Sequence, residues 1–314
     1  MPSHERGSVK SKAISTEDDY LGEHHVYEPH RVGLPPMGPY FREIRRRRGF
    51  AFELARTQMH AANTDTALGQ VWLVLNPLLL AGVYYILTAV LQHSAKGPTI
   101  PVDLLPKLSQ GQIDNFPWES FAHLTSSLFL FFLIATIIQS GANSVIAGGS
   151  LIMNTPFPKM LLPLSSSYLA FRRFLPTLLV YIPIHFLAHR PVNINILWTI
   201  PMVVEALAFG FGLAMVFGTL QVYFRDVASF LPYFIRIWLY LSPVIYYVES
   251  LPAQMKVFEV FNPLFPISGG YGEALGGHAP SASMLFGGAA WAIGACVLGG
   301  LVFMSREREF AVRL

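Results

Sequence analysis

The sequence predicts an all-α integral membrane protein with six transmembrane helices. Its composition is the first observation behind this prediction: 53% of the 314 residues are hydrophobic and only 13% are charged, whereas a soluble domain carries about 25% charged residues. The second observation is that residues 66–95, 120–158 and 274–305 contain no Asp, Glu, Lys or Arg. Each of these stretches exceeds the roughly 20 apolar residues that a helix needs to cross a bilayer.

The charges are concentrated at the N-terminus, where the first 65 residues carry 19 of the 41 charged side chains. Residues 1–48 are rich in charge, His, Pro and Gly and show no helical or strand period, so they predict a disordered cytoplasmic tail that ends in a basic cluster. We expect an interfacial helix over residues 49–66, a six-helix transmembrane domain over 67–305 and a short cytoplasmic C-terminus over 306–314.

The interfacial helix is predicted from the spacing of its apolar side chains. Phe52, Ala55 and Met59 recur on one side, while Glu53 and Arg56 occupy the other. This weakly amphipathic pattern is typical of a helix at the membrane surface. An ordinary cytoplasmic helix would show the same pattern, and both interpretations stay open.

Hydropathy and charge positions determine the six predicted spans. They are residues 69–92, 118–140, 174–188, 196–222, 228–248 and 284–304. The third begins after Arg172 and Arg173, because two arginines at mid-bilayer would cost several kcal/mol. The segment 249–283 is too apolar for a plain loop and too rich in Pro and Gly for a full span, so we expect short re-entrant or interfacial helices there.

The distribution of basic residues predicts the orientation. From residue 42 onward, and leaving out Arg236 inside a span, thirteen lysines and arginines fall on the side of the two termini and four fall on the opposite side. By the positive-inside rule, both termini are expected in the cytoplasm.

Several kinds of chemistry are excluded by missing motifs. The chain has no Gly-Lys pair and so no phosphate-binding P-loop, and it has no His-Glu-x-x-His zinc motif. Its single cysteine, Cys296, excludes an intrachain disulfide and a Cys-based metal site. We therefore expect no catalytic residue, no metal and no cofactor on this chain. The arginines 45–48 are typical of a topology anchor rather than a nucleic-acid site.

Glu205 is the one acidic residue that lies away from the ends of a predicted span. An intramembrane ionisable group is a functional candidate by default, although Trp198 places the outer interface close by and favours a structural role. Aromatic residues in or beside the spans could face sugars with their rings, or could serve as packing and interface residues. Those we assign to a translocation path are Tyr84, Tyr85, Trp238, Tyr246 and Tyr247.

Five short motifs occur in a particular order along these spans. They are Leu68-Gly69-Gln70-Val71-Trp72 with Asn76-Pro77, Phe157-Pro158-Lys159-Met160-Leu161-Leu162-Pro163-Leu164, Phe224-Arg225-Asp226-Val227, Leu241-Ser242-Pro243-Val244-Ile245-Tyr246, and Asn262-Pro263-Leu264. Together they resemble the membrane subunit of type-2 ABC exporters, in the branch that moves O-antigens, teichoic acids and other lipid-linked polysaccharides. The His- and Pro-containing tail is similar to that of actinobacterial members, such as the exporter of cell-wall galactan.

The resemblance implies an inner-membrane permease that acts as a homodimer with two copies of a separate P-loop ATPase, which would bind ATP and Mg²⁺. A lipid-linked polysaccharide would be the substrate and the path would follow the dimer interface. The residues implied in coupling to the ATPase are Asn154, Phe157, Pro158, Lys159, Arg225 and Asp226. Those expected to contact a lipid pyrophosphate are Arg45, Arg46, Arg47, Arg48 and Arg56, and those of an outer gate are Asn262 and Pro263.

Two other functions remain open at the level of sequence. A type-2 ABC exporter of drugs or lipids would share the fold and the coupling but not the path. A membrane-embedded transferase would need a histidine or acid at the membrane face, for which His123 and His185 are the nearest candidates.

Overall fold

The fold is built from long apolar helices joined by short turns, and the described part of the chain contains no strand. The computed structural model describes residues 34–61, 116–246 and 261–314, and only isolated positions between residues 71 and 108. The α-helices are α1 (Met37–Arg46), α2 (Arg48–Ala61), α3 (Phe116–Ala147), α4 (Gly149–Asn154), α5 (Leu161–Leu187), α6 (Thr199–Tyr223), α7 (Val227–Tyr240), α8 (Leu264–Leu275), α9 (Ala282–Arg306) and α10 (Phe310–Arg313). Two 3-10 helices, Ile194–Trp198 and Glu307–Glu309, precede α6 and α10.

Three helical segments of the described residues are long and apolar enough to cross a membrane. They are Pro117–Ala147, Ile194–Tyr223 and Ala282–Arg313. These segments cover the second, fourth and sixth predicted spans. The described residues are therefore helical as predicted, and these three helices are consistent with an integral membrane protein. The first predicted span, 69–92, falls largely outside the described residues.

Helix α5 begins earlier than the third predicted span. It is continuous over 27 residues despite Pro176 and Pro183, so Arg172 and Arg173 lie within the helix rather than before it. Helix α2 packs on the first half of α5, where the rings of Phe52 and Tyr168 have centroids 4.7 Å apart. The two arginines therefore lie about one helical turn beyond the level at which α2 packs.

Helix α7 is shorter than the fifth predicted span, 228–248. Its 14 residues reach only about 21 Å at 1.5 Å per residue. The helix ends because the carbonyl of Leu241 accepts a hydrogen bond from Asn262 Nδ2 at 2.9 Å, and because Pro243 has no N–H to continue the ladder. Residues 247–260 lie outside the described residues. The described part of the predicted broken segment 249–283 contains the short helix α8.

Helix α1 occupies residues that composition assigned to the disordered tail. The structure corrects the predicted boundary at residue 48: ordered helix begins at Met37. The reason is tertiary, since Tyr40 and Ile44 pack against a buried apolar cluster that includes Phe303 and Phe310. A prediction from local composition takes no account of contacts with residues that are distant in the sequence.

Helix α6 is the centre of the bundle and packs against both α3 and α9. Its contact with α9 depends on two glycines: a Cβ added to Gly299 would lie 2.1 Å from the Gly212 carbonyl oxygen. Small residues of this kind let two membrane helices approach backbone to backbone.

Candidate coupling surface

The turn between α4 and α5 projects from one end of the bundle. Helix α4 ends at Asn154 because Thr155 is extended, with φ −140° and ψ 128°. The side chain of Asn154 caps its own helix by donating to the Ser150 carbonyl at 2.8 Å. Met153 is 65% exposed, and Asn154, Thr155 and Pro156 are exposed as well. The end of α4 therefore offers a protruding surface to a partner.

The second half of this turn is held from within by Glu307. The carboxylate accepts a hydrogen bond from the backbone N–H of Lys159 at 2.6 Å, and Lys159 Nζ donates to the Glu307 carbonyl at 3.0 Å. Tyr40 of α1 also donates to this carboxylate. Burial and the Glu307 charge raise the pKa of Tyr40 well above its usual range, and burial lowers the pKa of Lys159, an effect that the Glu307 charge opposes.

The junction of α1 and α2 holds the first half of the turn. Arg47 Nη1 donates to the Pro156 carbonyl at 2.7 Å, and Arg47 Nε also binds Glu43. The rings of Phe50 and Phe157 have centroids 5.4 Å apart. The N-terminal helices and the C-terminal segment therefore clamp the turn between them.

A concavity of about 410 Å³ lies beside α4. Its lining includes Met153, Asn154, Val222, Arg225, Arg313 and Leu314. Arg225 is exposed, and its guanidinium makes no hydrogen bond or ion pair with any residue that the structure describes. The concavity therefore joins the end of α4 to the end of α6 and carries an available positive charge.

The C-terminal residues are fixed against the end of α6. The Arg313 guanidinium lies over the Tyr223 ring, 4.2 Å from its centroid. Glu309 accepts from the Tyr223 hydroxyl and pairs with Arg306 at 3.0 Å and Arg313 at 3.4 Å. This cluster determines the position of the C-terminal wall of the concavity.

The structure separates the six predicted coupling residues into two groups. Asn154 and Arg225 line the same concavity, and Asp226 is exposed next to it. Phe157 is half-buried and Pro158 is buried. Lys159 is bound to Glu307 and is thus not free to reach a partner.

The two predicted gate residues lie where α7 ends and α8 begins. Asn262 accepts from Trp238 Nε1 at 3.1 Å and from the Leu264 N–H at 3.1 Å, and it donates to Ser242 Oγ at 3.1 Å. Pro263 is the N-cap residue of α8. Asn262 therefore links the end of α7 to the beginning of α8. The Leu-Ser-Pro and Asn-Pro-Leu motifs both lie at this junction.

The predicted path residues are found in different surroundings. Trp238 is half-buried and bonded to Asn262, and Tyr246 donates to the Leu241 carbonyl at 3.3 Å. Glu205 is 8% exposed and packs against Gly288 of α9, and its Oε2 has no hydrogen-bond partner among the described residues. Tyr84, Tyr85 and Tyr247 lie outside the described residues.

The predicted lipid-pyrophosphate residues are exposed, but one has a different role. Arg45 and Arg46 end α1 and Arg48 begins α2, while Arg56 lies 3.9 Å from Glu53 on the surface of α2. Arg47 donates to the Pro156 carbonyl in the turn between α4 and α5. It therefore helps to hold this turn and does not contribute to a free basic patch.

The residues of the transferase and metal alternatives do not form a site in the described part of the chain. His185 is 5% exposed and packs edge-on against Tyr181. His123 lies beside Gly272 of α8. Among the described residues, no cluster of His, Cys, Asp and Glu could hold a metal ion.

Sequence patterns missed the anchors of the coupling turn. Glu307 and Lys159 are 148 positions apart, and Tyr40 and Glu307 are 267 apart. No local spacing connects such residues, and the only local sign was the presence of charged residues just beyond the last span.

Curated proteins with similar sequences are export permeases. The chain is 28% identical over 222 residues to two O-antigen export system permease proteins RfbA of Klebsiella pneumoniae, covering 69% of this chain and 77% of theirs. It is 24% identical over 276 residues to the RfbA of Myxococcus xanthus, covering 86% of this chain and 97% of that protein. No family model matches the chain.

This similarity supports the type-2 ABC exporter permease that the motifs predict. The turn between α4 and α5 is clamped by residues of the N-terminal helices and of the C-terminal segment. The three apolar helices that can span a membrane are in accord with this class.

Proposed function

We propose that this permease belongs to an ATP-driven exporter that moves a lipid-linked polysaccharide from the cytoplasm across the inner membrane. The observation that supports it most is the coupling surface, which combines a protruding α4 with a concavity that contains Arg225. The O-antigen export permeases to which the chain is similar support the polysaccharide as substrate. A galactan is the glycan that we propose within this class.

The force for export comes from a separate ATPase in this proposal. Two ATPase subunits bind a homodimer of the permease and supply the ATP and Mg²⁺ sites. Each ATPase receives Met153, Asn154 and the neighbouring turn in a groove, and an acidic group of the ATPase pairs with Arg225. Both termini and the coupling surface then lie in the cytoplasm, and the six spans form the membrane domain.

The clamp transmits the movement of the ATPase to the membrane helices. Because Glu307 follows α9 and Lys159 precedes α5, a displacement of the turn acts on both helices at once. Tyr40 and Arg47 couple the same displacement to α1 and α2, where Arg45, Arg46, Arg48 and Arg56 attract the pyrophosphate of the substrate.

Co-purification tests the coupling surface directly. The permease is co-expressed with a P-loop ATPase of the polysaccharide-exporter class from the same organism, and the complex is isolated through a tag on the permease. We expect a stoichiometric ATPase with the wild type and with Arg42→Glu, a matched charge reversal at an exposed arginine of α1. Arg225→Glu should lose most of the ATPase, since it places like charges against each other. Retention of the ATPase by Arg225→Glu would contradict the proposed docking.

Depletion of the permease in cells tests the substrate. We expect a lipid-linked glycan to accumulate in the cytoplasmic leaflet, and sugar analysis of that glycan tests the galactan. Unchanged glycan levels with altered drug sensitivity would support the alternative exporter of drugs instead. Activity of the purified permease without any ATPase would support the transferase.

A further inference from the structure

A second cavity, of about 630 Å³, lies among the membrane helices and away from the coupling surface. Its volume falls within the range of about 300–1,000 Å³ that is typical of small-molecule sites. It is bounded by α3, α5 and helical positions of the first predicted span. The lining residues that matter here are Trp72, Leu79, Val83, Phe129, Phe132 and Arg173.

Arg173 is the single charged side chain among the described residues that line this cavity. It is partly buried, and its guanidinium forms no hydrogen bond or ion pair with any described residue. An arginine surrounded by apolar groups is costly unless an anion accompanies it. The cavity therefore has the charge of a site for an anionic ligand.

The lining of the cavity combines one charged side chain with a largely apolar body. Its lining on α5 extends from Ala170 to Thr177, which is about 10 Å of helix. Arg173 lies in the half nearer to Tyr168, against which the interfacial helix packs through Phe52. The remaining lining is almost entirely aromatic or aliphatic. A ligand with one charged head and an apolar tail matches this arrangement.

The wall formed by the first predicted span is open. Trp72, Leu79 and Val83 are 44%, 55% and 59% exposed. A tryptophan at such a rim is typical of the level of lipid headgroups. A lipid can therefore reach the cavity sideways from the bilayer, without passing through the bundle.

We propose that this cavity binds one anionic phospholipid of the surrounding bilayer, with its phosphate on Arg173 and an acyl chain along Leu79, Val83 and Phe132. A single arginine matches the charge of a single phosphate. A pyrophosphate-linked carrier brings more negative charge than the described lining can balance. Free inorganic phosphate has no tail to occupy the apolar body.

Arg173→Gln and its neighbour Arg172→Gln provide a matched pair for the test. Both remove one positive charge from adjacent positions, but Arg172 is exposed, binds the Tyr168 hydroxyl at 3.4 Å and does not line the cavity. The full chain is purified in detergent with phosphatidylglycerol or phosphatidylcholine as the probe lipid. Bound lipid per chain is counted by native mass spectrometry.

We expect one tightly held phosphatidylglycerol in the wild type and in Arg172→Gln, and affinity about tenfold lower in Arg173→Gln, as for loss of a charge-assisted hydrogen bond. Phosphatidylcholine should bind less tightly than phosphatidylglycerol. Thr136→Trp, which fills the cavity and keeps the arginine, should also displace the lipid. This variant keeps the test decisive if Arg173→Gln fails to fold.

Several outcomes would overturn the proposal. Equal lipid binding by Arg173→Gln and the wild type would show that Arg173 does not contact the lipid. A loss of binding in Arg172→Gln as large as that in Arg173→Gln would indicate general attraction to surface charge. Displacement of phosphatidylglycerol by undecaprenyl pyrophosphate at equal mole fraction would assign the site to the lipid carrier. A change of oligomeric state in Arg173→Gln without a change in lipid count would assign the cavity to a second copy of the chain.

Discussion

Arg190 and Glu119 form a buried, bidentate ion pair that joins the beginning of α3 to the end of α5. Arg190 Nε donates to one carboxylate oxygen at 2.9 Å and Nη2 donates to the other at 2.5 Å, although the residues are 71 positions apart. The third donor, Nη1, binds the Tyr181 hydroxyl at 2.8 Å. Both charged side chains are almost fully removed from solvent, at 1% and 3% exposure.

Removal of one member of this pair should destabilise the protein more than replacement of both. We expect Arg190→Met to cost about 3–5 kcal/mol, since it leaves a carboxylate without its partner in an apolar setting. The double variant Glu119→Leu/Arg190→Met should recover part of this loss. Thermal unfolding in detergent compares the wild type, the single variants Glu119→Leu and Arg190→Met, and the double variant. A double variant that is as unstable as the sum of the two single variants would contradict the prediction.

Glu307→Gln should loosen the coupling turn. The substitution weakens the acceptor for the Lys159 N–H and for Tyr40, and hydrogen bonds to a charged group contribute about 1.5–3 kcal/mol. We expect hydrogen exchange at the Lys159 amide to accelerate by about tenfold or more. Glu53→Gln on the exposed face of α2 is the control and should leave this amide unchanged. Unaltered exchange in Glu307→Gln would show that other contacts hold the turn.

Tyr40 should remain protonated far above the pH at which exposed tyrosines titrate. Its pKa is raised from the ordinary value of 10.0, first by burial and then by the adjacent Glu307 charge. Its contribution to the clamp is therefore fully present below pH 10 and is lost progressively as the pH rises toward the higher pKa of the folded state. The difference in absorbance at the tyrosinate band between the wild type and Tyr40→Phe reports this residue alone.

We expect no tyrosinate signal in that difference up to about pH 11, one unit above the ordinary tyrosine value. A transition near pH 10 would mean that Tyr40 is solvated and that α1 is not held against Glu307 in solution. Tyr40→Phe should also accelerate exchange at the Lys159 amide, by less than Glu307→Gln does, because only one of the contacts of the carboxylate is removed.

Gly299→Ala should destabilise the contact between α6 and α9. The added Cβ would lie 2.1 Å from the Gly212 carbonyl oxygen, a backbone atom that can move only if the helices separate. We expect a cost of about 1–3 kcal/mol, as for other overpacked sites. Gly294→Ala lies on the same helix with nothing within 4 Å, so its melting temperature should equal or exceed that of the wild type. Equal melting temperatures for both variants would contradict the close approach.

The long apolar segments were predictable because hydropathy is a local property. Residues 118–140, 196–222 and 284–304 correspond to α3, α6 and α9 within a few residues at most boundaries, since the need to bury about 20 apolar residues does not depend on partners. The boundaries that were wrong depend on distant contacts. The end of α7 depends on Asn262, and the ordering of α1 depends on Glu307 and on the apolar cluster around Phe303.

The candidate site follows the same division. The motifs placed Asn154 and Arg225 near a coupling surface, and the structure brings them to one concavity. Lys159 carried the same motif signal but is directed toward Glu307. A motif indicates which residues lie near a candidate functional surface. The direction of each side chain depends on neighbours that come from other parts of the chain.

Sequence alone was enough to predict long apolar helices of membrane-spanning length, to indicate a resemblance to export permeases and to exclude a P-loop. Composition, the length of the apolar runs and short motifs are sufficient for these predictions, because each is a property of neighbouring positions along the chain. The pairing of the charged side chains, in contrast, depends on the tertiary structure. Glu119, Arg190, Glu307 and Arg47 are bonded within the protein, whereas Arg225 and Arg173 have no partner among the described residues. The reason is that pairing of charges is a matter of distance in space, and the folding of the helices places residues 71 to 267 positions apart within hydrogen-bonding distance.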